Sequence, residues 1–152
     1  LADLVENVVS AHSLPARAKM MHTDLALSER FCEAEPALLV SVLDNLYSNA
    51  VHYGAESGNI RIHSYRHGEQ VRIDVINDGE PIPPAERNMI FEPFYQGSHQ
   101  RKGAVKGSGL GLSIARDCVR QMQGELSLVD DKSGLICFRI TLPVAEAGQN
   151  NV

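Results

Sequence analysis

The apolar positions of this chain change period several times, and those changes divide it into elements. In ADLVENVVSAHSLPARAKM the apolar residues recur at helical spacing, and the pattern is lost near Pro15. HTDLALSERFCE has room for one short strand. From Pro36, PALLVSVLDNLYSNAVHY sets Leu39, Val42, Leu43, Leu46 and Ala50 in the three-and-four rhythm of an amphipathic helix. Its proline falls in the first turn, where a missing N–H costs nothing. The period then drops to two. NIRIHSYR and QVRIDVIN, separated by the polar HGE, predict a β-hairpin with Ile60, Ile62, Val71, Ile73 and Val75 among its apolar positions. NDGEPIPP is a turn cluster, and ERNMIFEPFY predicts a short helical piece cut off by Pro93. QGSHQRKGAVKGSG has almost no apolar content and predicts a mobile loop, unanchored over 97–106. Helical spacing returns in GLSIARDCVRQMQG, expected to stop at Gly124, and ELSLVDDKSGLICFRITLP predicts a second hairpin turning near 132–134. The tail AEAGQNNV predicts disorder. There is no internal repeat. The sum is an α+β fold, a mostly antiparallel sheet with helices over one face.

Composition narrows the class. A chain of 152 residues, 43% hydrophobic, is one domain's worth and buries a core without staples. Its formal charge of −5 argues against nucleic acid as a partner, since phosphate backbones call for a basic face. No apolar run is long enough to span a membrane, and no signal peptide opens the chain. Cys32, Cys118 and Cys137 are odd in number and lack C-x-x-C spacing, which favours free thiols in a reducing compartment over a disulfide framework or a zinc site. The sequence opens at Leu1 without a methionine, and it is expected to be part of something longer.

Three stretches carry candidate chemistry. In VKGSGLGLSIARDCVRQM, Gly107, Gly109 and Gly111 run straight into a helix. A dinucleotide fingerprint would need a strand before the glycines and a third glycine where Leu112 stands; a Walker A loop and the eukaryotic-type protein kinase motifs are absent. Bare backbone N–H groups at a helix N-terminus favour an anion, and Arg101, Lys102 and Lys106 add cations beside them. A hinge without ligand is the alternative. In LDNLYSNAVHY, Asn45 and Asn49 are four apart and share a helix face, with Asp44, His52 and Tyr53 near by. Carboxamide oxygen is a hard donor suited to Mg²⁺; a solvated polar stripe is the other reading. In VINDGEPIP, Asp78 follows an apolar strand and precedes Gly79, so a carboxylate can accept from an exocyclic amine while glycine lets a flat ring approach. An ordinary turn aspartate is the commoner case in isolation.

The order of these pieces decides among the readings. N-x-x-x-N on a helix, D-G after a strand, F-x-P-F, then G-x-G-x-G opening a helix resembles the ATP-binding domain of bacterial sensor histidine kinases, members of the GHKL superfamily. The resemblance covers about residues 23–143. It implies a two-layer α/β sandwich of the Bergerat type with a mobile ATP lid. It also implies a helical lead-in over 1–20 from a missing dimerisation domain, a catalytic domain over 21–144 and a tail over 145–152. Asn49 would hold Mg²⁺ against the triphosphate, with Asn45 supporting it. His52 falls where relatives often carry a phosphate-touching cation, and Tyr53 would pack along adenine. Asp78 would read the adenine amine, Gly79 would make room, and Ile82 would line the nucleotide. Phe91 and Phe94 would sit at the base of the lid. Gly107, Ser108, Gly109, Leu110, Gly111 and Leu112 would hinge it and cradle phosphates, with Lys102, Lys106 and Arg101 as lid cations.

Two departures from the family pattern are informative. Pro81 stands where relatives usually place a second glycine, which stiffens the loop after D-G. ATP-hydrolysing members keep a glutamate four residues before the metal asparagine; here Asn45 occupies that position and cannot take a proton. Asp44 is adjacent but points about 100° away around the helix. The resemblance therefore implies phosphoryl transfer by positioning, and little capacity to activate water. No histidine fits the family's acceptor pattern: His12 and His22 have the wrong neighbours, and His63, His67 and His99 lie in the hairpin or lid. The implied partners are a histidine-bearing dimerisation domain of the same kinase and a response regulator. The whole protein would be a membrane-anchored homodimer in the bacterial inner membrane, with this domain in the cytoplasm. An anti-sigma-factor serine kinase is disfavoured by the F-x-P-F box and long lid. A degenerate nucleotide sensor or docking module is disfavoured by the intact Asn49, Asp78 and glycine loop.

Overall fold

The computed structural model describes residues 1–27, 34–79, 82–87, 89–93, 111–129 and 135–144. Helices α1 (Ala2–Ala11) and α2 (Ser13–Ala18) come first, followed by strand β1 (His22–Leu27) and helix α3 (Pro36–Tyr53). The hairpin β2 (Asn59–His67) and β3 (Gln70–Asn77) follows, then a 3-10 turn at Pro84–Glu86. Helix α4 (Gly111–Gln121) leads into strands β4 (Glu125–Val129) and β5 (Ile136–Pro143). No helix among the described residues is long and apolar enough to cross a membrane.

The five strands form one sheet in the order β1-β2-β3-β5-β4. β1 and β2 pair in parallel, and the other pairs are antiparallel. The parallel pair follows from chain order, because α3 lies between β1 and β2 and a parallel connection needs such a crossover. The register sets Ile62 beside Val75, Val75 beside Phe138, Ile73 beside Ile140 and Ile140 beside Leu126, so these side chains share one face. They join one buried cluster with Leu39, Val42, Leu43, Leu46 and Ala50 of α3 and with Ala115 and Val119 of α4. The apolar stripe read from the sequence of α3 is thus its buried stripe. Val5 and Val8 of α1 belong to the same cluster.

The opposite face of the sheet holds a partly buried ion pair. Asp74, 5% exposed, stands opposite Arg139 in the β3–β5 register. Arg139 donates from Nε to Asp74 Oδ1 at 2.9 Å and from Nη2 to Oδ2 at 3.1 Å, and the Tyr65 hydroxyl donates to Oδ2 at 2.9 Å. The carboxylate holds the Arg139 guanidinium above its already high ordinary pKa.

Three local expectations need correction. The pattern loss near Pro15 marks a second short helix, α2, with the proline in its first turn. The helical piece expected in ERNMIFEPFY is, among the described residues, the 3-10 turn at Pro84–Glu86 followed by irregular turns to residue 93. Pro83, Pro84 and Pro93 bracket too short a span for α-helical bonds to propagate. At the end of α4 the left-handed residue is Gln123 (φ 65°), and Gly124 N–H donates to Val119 O at 3.0 Å, closing a Schellman turn. Gly124 is required for space, since a Cβ there would lie 2.3 Å from Thr141 O of β5. The turn near 132–134, the loop over 97–106 and the tail lie outside the described residues.

Candidate functional site

Helix α3 supplies one wall of the site. Asn45, Asn49 and Tyr53 are half-buried and recur every fourth residue, so they form one stripe beside the core stripe. Asp44 lies off that stripe and is engaged elsewhere: its Oδ1 is 2.7 Å from His12 Nε2, and the His12 ring tilts over Tyr47 at 5.9 Å. His12 therefore ties the end of α1 to α3.

The N-terminus of α4 closes one end of the stripe. A Cβ added to Gly111 would lie 3.4 Å from Asn45 Oδ1, which puts the Asn45 carboxamide against the first residue of the helix. The N–H groups of a helix's first turn have no partner within the helix, and together with the helix dipole they make this end favourable for an anion. Leu112, next along, is partly buried on the core.

β3 closes the other end. Its last residue is followed by Asp78 and Gly79, and Gly79 pairs across an isolated bridge with Gly54, the residue after α3. Ala55 N–H donates to Asp78 O at 3.1 Å, and Asn77 Nδ2 donates to the same carbonyl at 3.0 Å. Gly79 has φ 154°, and a Cβ there would meet Tyr53 O at 2.8 Å, so no other residue fits. The Asp78 carboxylate accepts from Asn59 N–H, at 3.1 Å on Oδ1 and 3.3 Å on Oδ2. Tyr53 is edge-on to His52 at 4.5 Å, and burial raises its hydroxyl pKa above the ordinary value. His52 itself is exposed.

The structure brings together Asn45, Asn49, Tyr53, Asp78, Gly79 and Gly111 around the stripe of α3. Ile82 is partly buried against the core just beyond Asp78 and Gly79. Phe91 is buried, edge-on to Phe138 at 6.1 Å, with the Arg116 guanidinium 5.1 Å above its ring. Phe94, Arg101, Lys102, Lys106, Gly107, Ser108, Gly109, Leu110 and Pro81 lie outside the described residues.

Two supports of the site escape motif reading. Lys19 donates from Nζ to Val51 O (2.9 Å), His52 O (3.0 Å) and Gly54 O (2.7 Å), capping the C-terminus of α3. Burial lowers its pKa, opposed by Glu56. Gly58 lies against the Asp78 side chain. In the sequence Lys19 is one surface cation among many and Gly58 one turn glycine; neither carries a local signal.

Known proteins match this chain in family and in fold. Residues 34–146 match the family described as histidine kinase-, DNA gyrase B-, and HSP90-like ATPase. The sensor histidine kinase GlrK of Escherichia coli (strain K12) is 76% identical over 143 residues, which cover 94% of this chain and 30% of that protein. The catalytic domain of histidine kinase ThkA superposes with a TM-score of 0.81 at 28% identity, over 96% of this chain and 95% of that one. ThkA in complex with response regulator protein TrrA matches with a TM-score of 0.77 at 25% identity, over 98% of this chain and 42% of that one. Full-length ShkA in complex with AMPPNP matches with a TM-score of 0.79 at 26% identity, over 95% and 30%. The chain spans 30% of the length of GlrK. With a family match across most of its length and the same architecture as solved catalytic domains, the chain belongs to the histidine kinase-, DNA gyrase B- and HSP90-like ATPase family, as a catalytic domain of the sensor histidine kinase type.

Proposed function

We propose that this domain binds Mg·ATP along the stripe of α3 and presents its γ-phosphoryl group to a histidine on a separate dimerisation domain. The observation that carries the reading is the two-ended stripe: an oriented carboxylate at the end of β3, and a carboxamide against a helix N-terminus at the start of α4. From Asn45 to Tyr53 the helix rises about 12 Å, enough to separate a base from its phosphates. Asp78 accepts from the adenine amine, Gly79 gives the ring access, and Tyr53 packs along it. Asn49, with Asn45 in support, offers hard oxygen donors of the kind that suit Mg²⁺. When bound, that ion neutralises phosphate charge. The N–H groups opening α4 and the adjoining Gly107–Ser108–Gly109–Leu110 segment hold the phosphates, with Lys102, Lys106, Arg101 and His52 as further cations.

In the transfer, a histidine ring nitrogen attacks the γ-phosphorus, the bond to the β–γ bridging oxygen breaks, and ADP leaves. Holding donor and acceptor in line supplies most of the acceleration such a step needs. Among the described residues at the Asn45 end of the stripe, water meets no comparable base. Asn45 has no proton-accepting carboxylate, and Asp44 is bonded to His12. The phosphoryl group then passes to an aspartate of a response regulator. The whole protein is a membrane-anchored homodimer, with this domain in the cytoplasm. The test is to mix the chain with ATP, Mg²⁺ and a separately purified acceptor hairpin from a close relative. Phosphohistidine on the hairpin, lost with Asn49→Ala, is expected. Nucleotide binding without any transfer would leave a nucleotide sensor in its place.

A further inference from the structure

The turn between α3 and β2 packs on Asp78 in a way that none of the nucleotide motifs accounts for. A Cβ added to Gly58 would lie 2.1 Å from Asp78 Oδ1, 3.0 Å from its Cγ and 2.8 Å from Ala55 O. Contacts under 3 Å do not persist, so a side chain at residue 58 would have to push the carboxylate or the turn aside. The turn has little room to retreat. Gly58 N–H donates to Ala55 O at 3.0 Å, Gly58 O accepts from His22 N–H at 3.0 Å, and Ser57 N–H donates to Lys19 O at 2.8 Å. The carboxylate is the part that would move. In its present place it meets Asn59 N–H, which bonds both of its oxygens.

We infer that Gly58 is a specificity-determining residue for the nucleotide base. Its bare Cα admits the Asp78 carboxylate to the Asn59 N–H, and that bond fixes the carboxylate in one orientation as a pure acceptor. A base presenting an amine at that point is favoured, and one presenting a carbonyl meets acceptor against acceptor. The amine case is adenine and the carbonyl case guanine. This rests on Asp78 being the residue that reads the base, and it adds what sets the reading.

The experiment compares ADP and GDP binding by calorimetry in wild type and Gly58→Ala. Wild type is expected to prefer ADP. Gly58→Ala should lose roughly tenfold or more in ADP affinity, the worth of a hydrogen bond to a charged group, while GDP affinity changes far less. The ADP-to-GDP ratio therefore collapses. An equal loss for both nucleotides would make Gly58 merely structural and overturn the inference, as would an unchanged ratio. A wild type with no preference for ADP would sink the reading of Asp78 itself. Should Gly58→Ala not fold, amide exchange decides. Asn59 N–H should exchange at least about tenfold faster in Asp78→Ala than in wild type, with the interior of β2 unaffected. Equal exchange at Asn59 would show that the carboxylate is not held there, and the inference fails.

Discussion

Arg139→Met separates the stability of the sheet from the working of the site. Asp74 is buried and Arg139 half-buried, with side chains 7% and 23% exposed. Truncating the arginine leaves a carboxylate on the outer sheet face with the Tyr65 hydroxyl still donating to it. Breaking one side of a buried pair costs about 3–5 kcal/mol; because Arg139 reaches some solvent, the lower figure, about 3 kcal/mol, applies. For a domain of this size that is roughly 6–12 °C in Tm. The double variant Asp74→Leu with Arg139→Met removes both charges and should return to within about 1.5 kcal/mol of wild type. Urea denaturation of the four proteins in this cycle gives the coupling directly. ADP affinity, measured well below each Tm, should stay within about twofold of wild type. Asp78 is held by Asn59 and by the turn after α3, and none of those contacts involves Arg139. A cost under about 1 kcal/mol for Arg139→Met would mean that the pair behaves as a solvated surface bridge and would refute the reasoning.

Other outcomes follow from the supports of the site. Lys19→Met removes three donors from the end of α3 and should cost about 1–2 kcal/mol by thermal melting, with partial recovery in Lys19→Arg; an unchanged melt would show those carbonyls to be equally well served by water. Tyr53 is raised above its ordinary value near 10 by burial, so the folded state holds that proton more tightly than the unfolded one. Its contribution to stability is complete below the ordinary value and is lost as pH rises through the raised one. Tyr65, half-buried beside Asp74, is raised as well, so phenolate absorbance should show late-titrating tyrosines with one fewer in Tyr53→Phe, and a titration unchanged by that substitution would contradict it. His12→Ala should weaken the docking of α1 on α3, seen as faster amide exchange in α1, without introducing ATP hydrolysis; a rise in phosphate release would mean that the freed Asp44 reaches the site.

How much of this was legible depends on how local each cause is. α3, the β2–β3 hairpin and α4 were readable because periods of 3.6 and 2 over eight or more residues reflect burial of a whole face. The piece around Ile90 was misread because apolar spacing suggested a helix while three prolines prevented one. The stop read at Gly124 is shared with Gln123, which takes the left-handed conformation, and the close approach of β5 to residue 124 comes from a strand later in the chain. The same limit explains the site. Asn45, Asn49, Asp78 and Gly79 stood out because their motifs are short and ordered. Gly58 and Asn59 act on Asp78 from about twenty positions away, and Lys19 caps a helix end more than thirty positions later. Such partnerships arise only when the sheet closes β2 against β3 and sets α2 beside the end of α3.

The most direct test of the account is calorimetric titration of a non-hydrolysable ATP analogue, with and without Mg²⁺, into wild type, Asp78→Ala and Asn49→Ala. The two ends of the α3 stripe should fail differently. Wild type binds in the micromolar range typical of nucleotide sites, on the order of 8 kcal/mol. Asp78→Ala abolishes binding, and Asn49→Ala binds weakly with no response to Mg²⁺. Binding by wild type that neither substitution alters would place the nucleotide elsewhere on the domain and contradict the site assigned to α3 and β3.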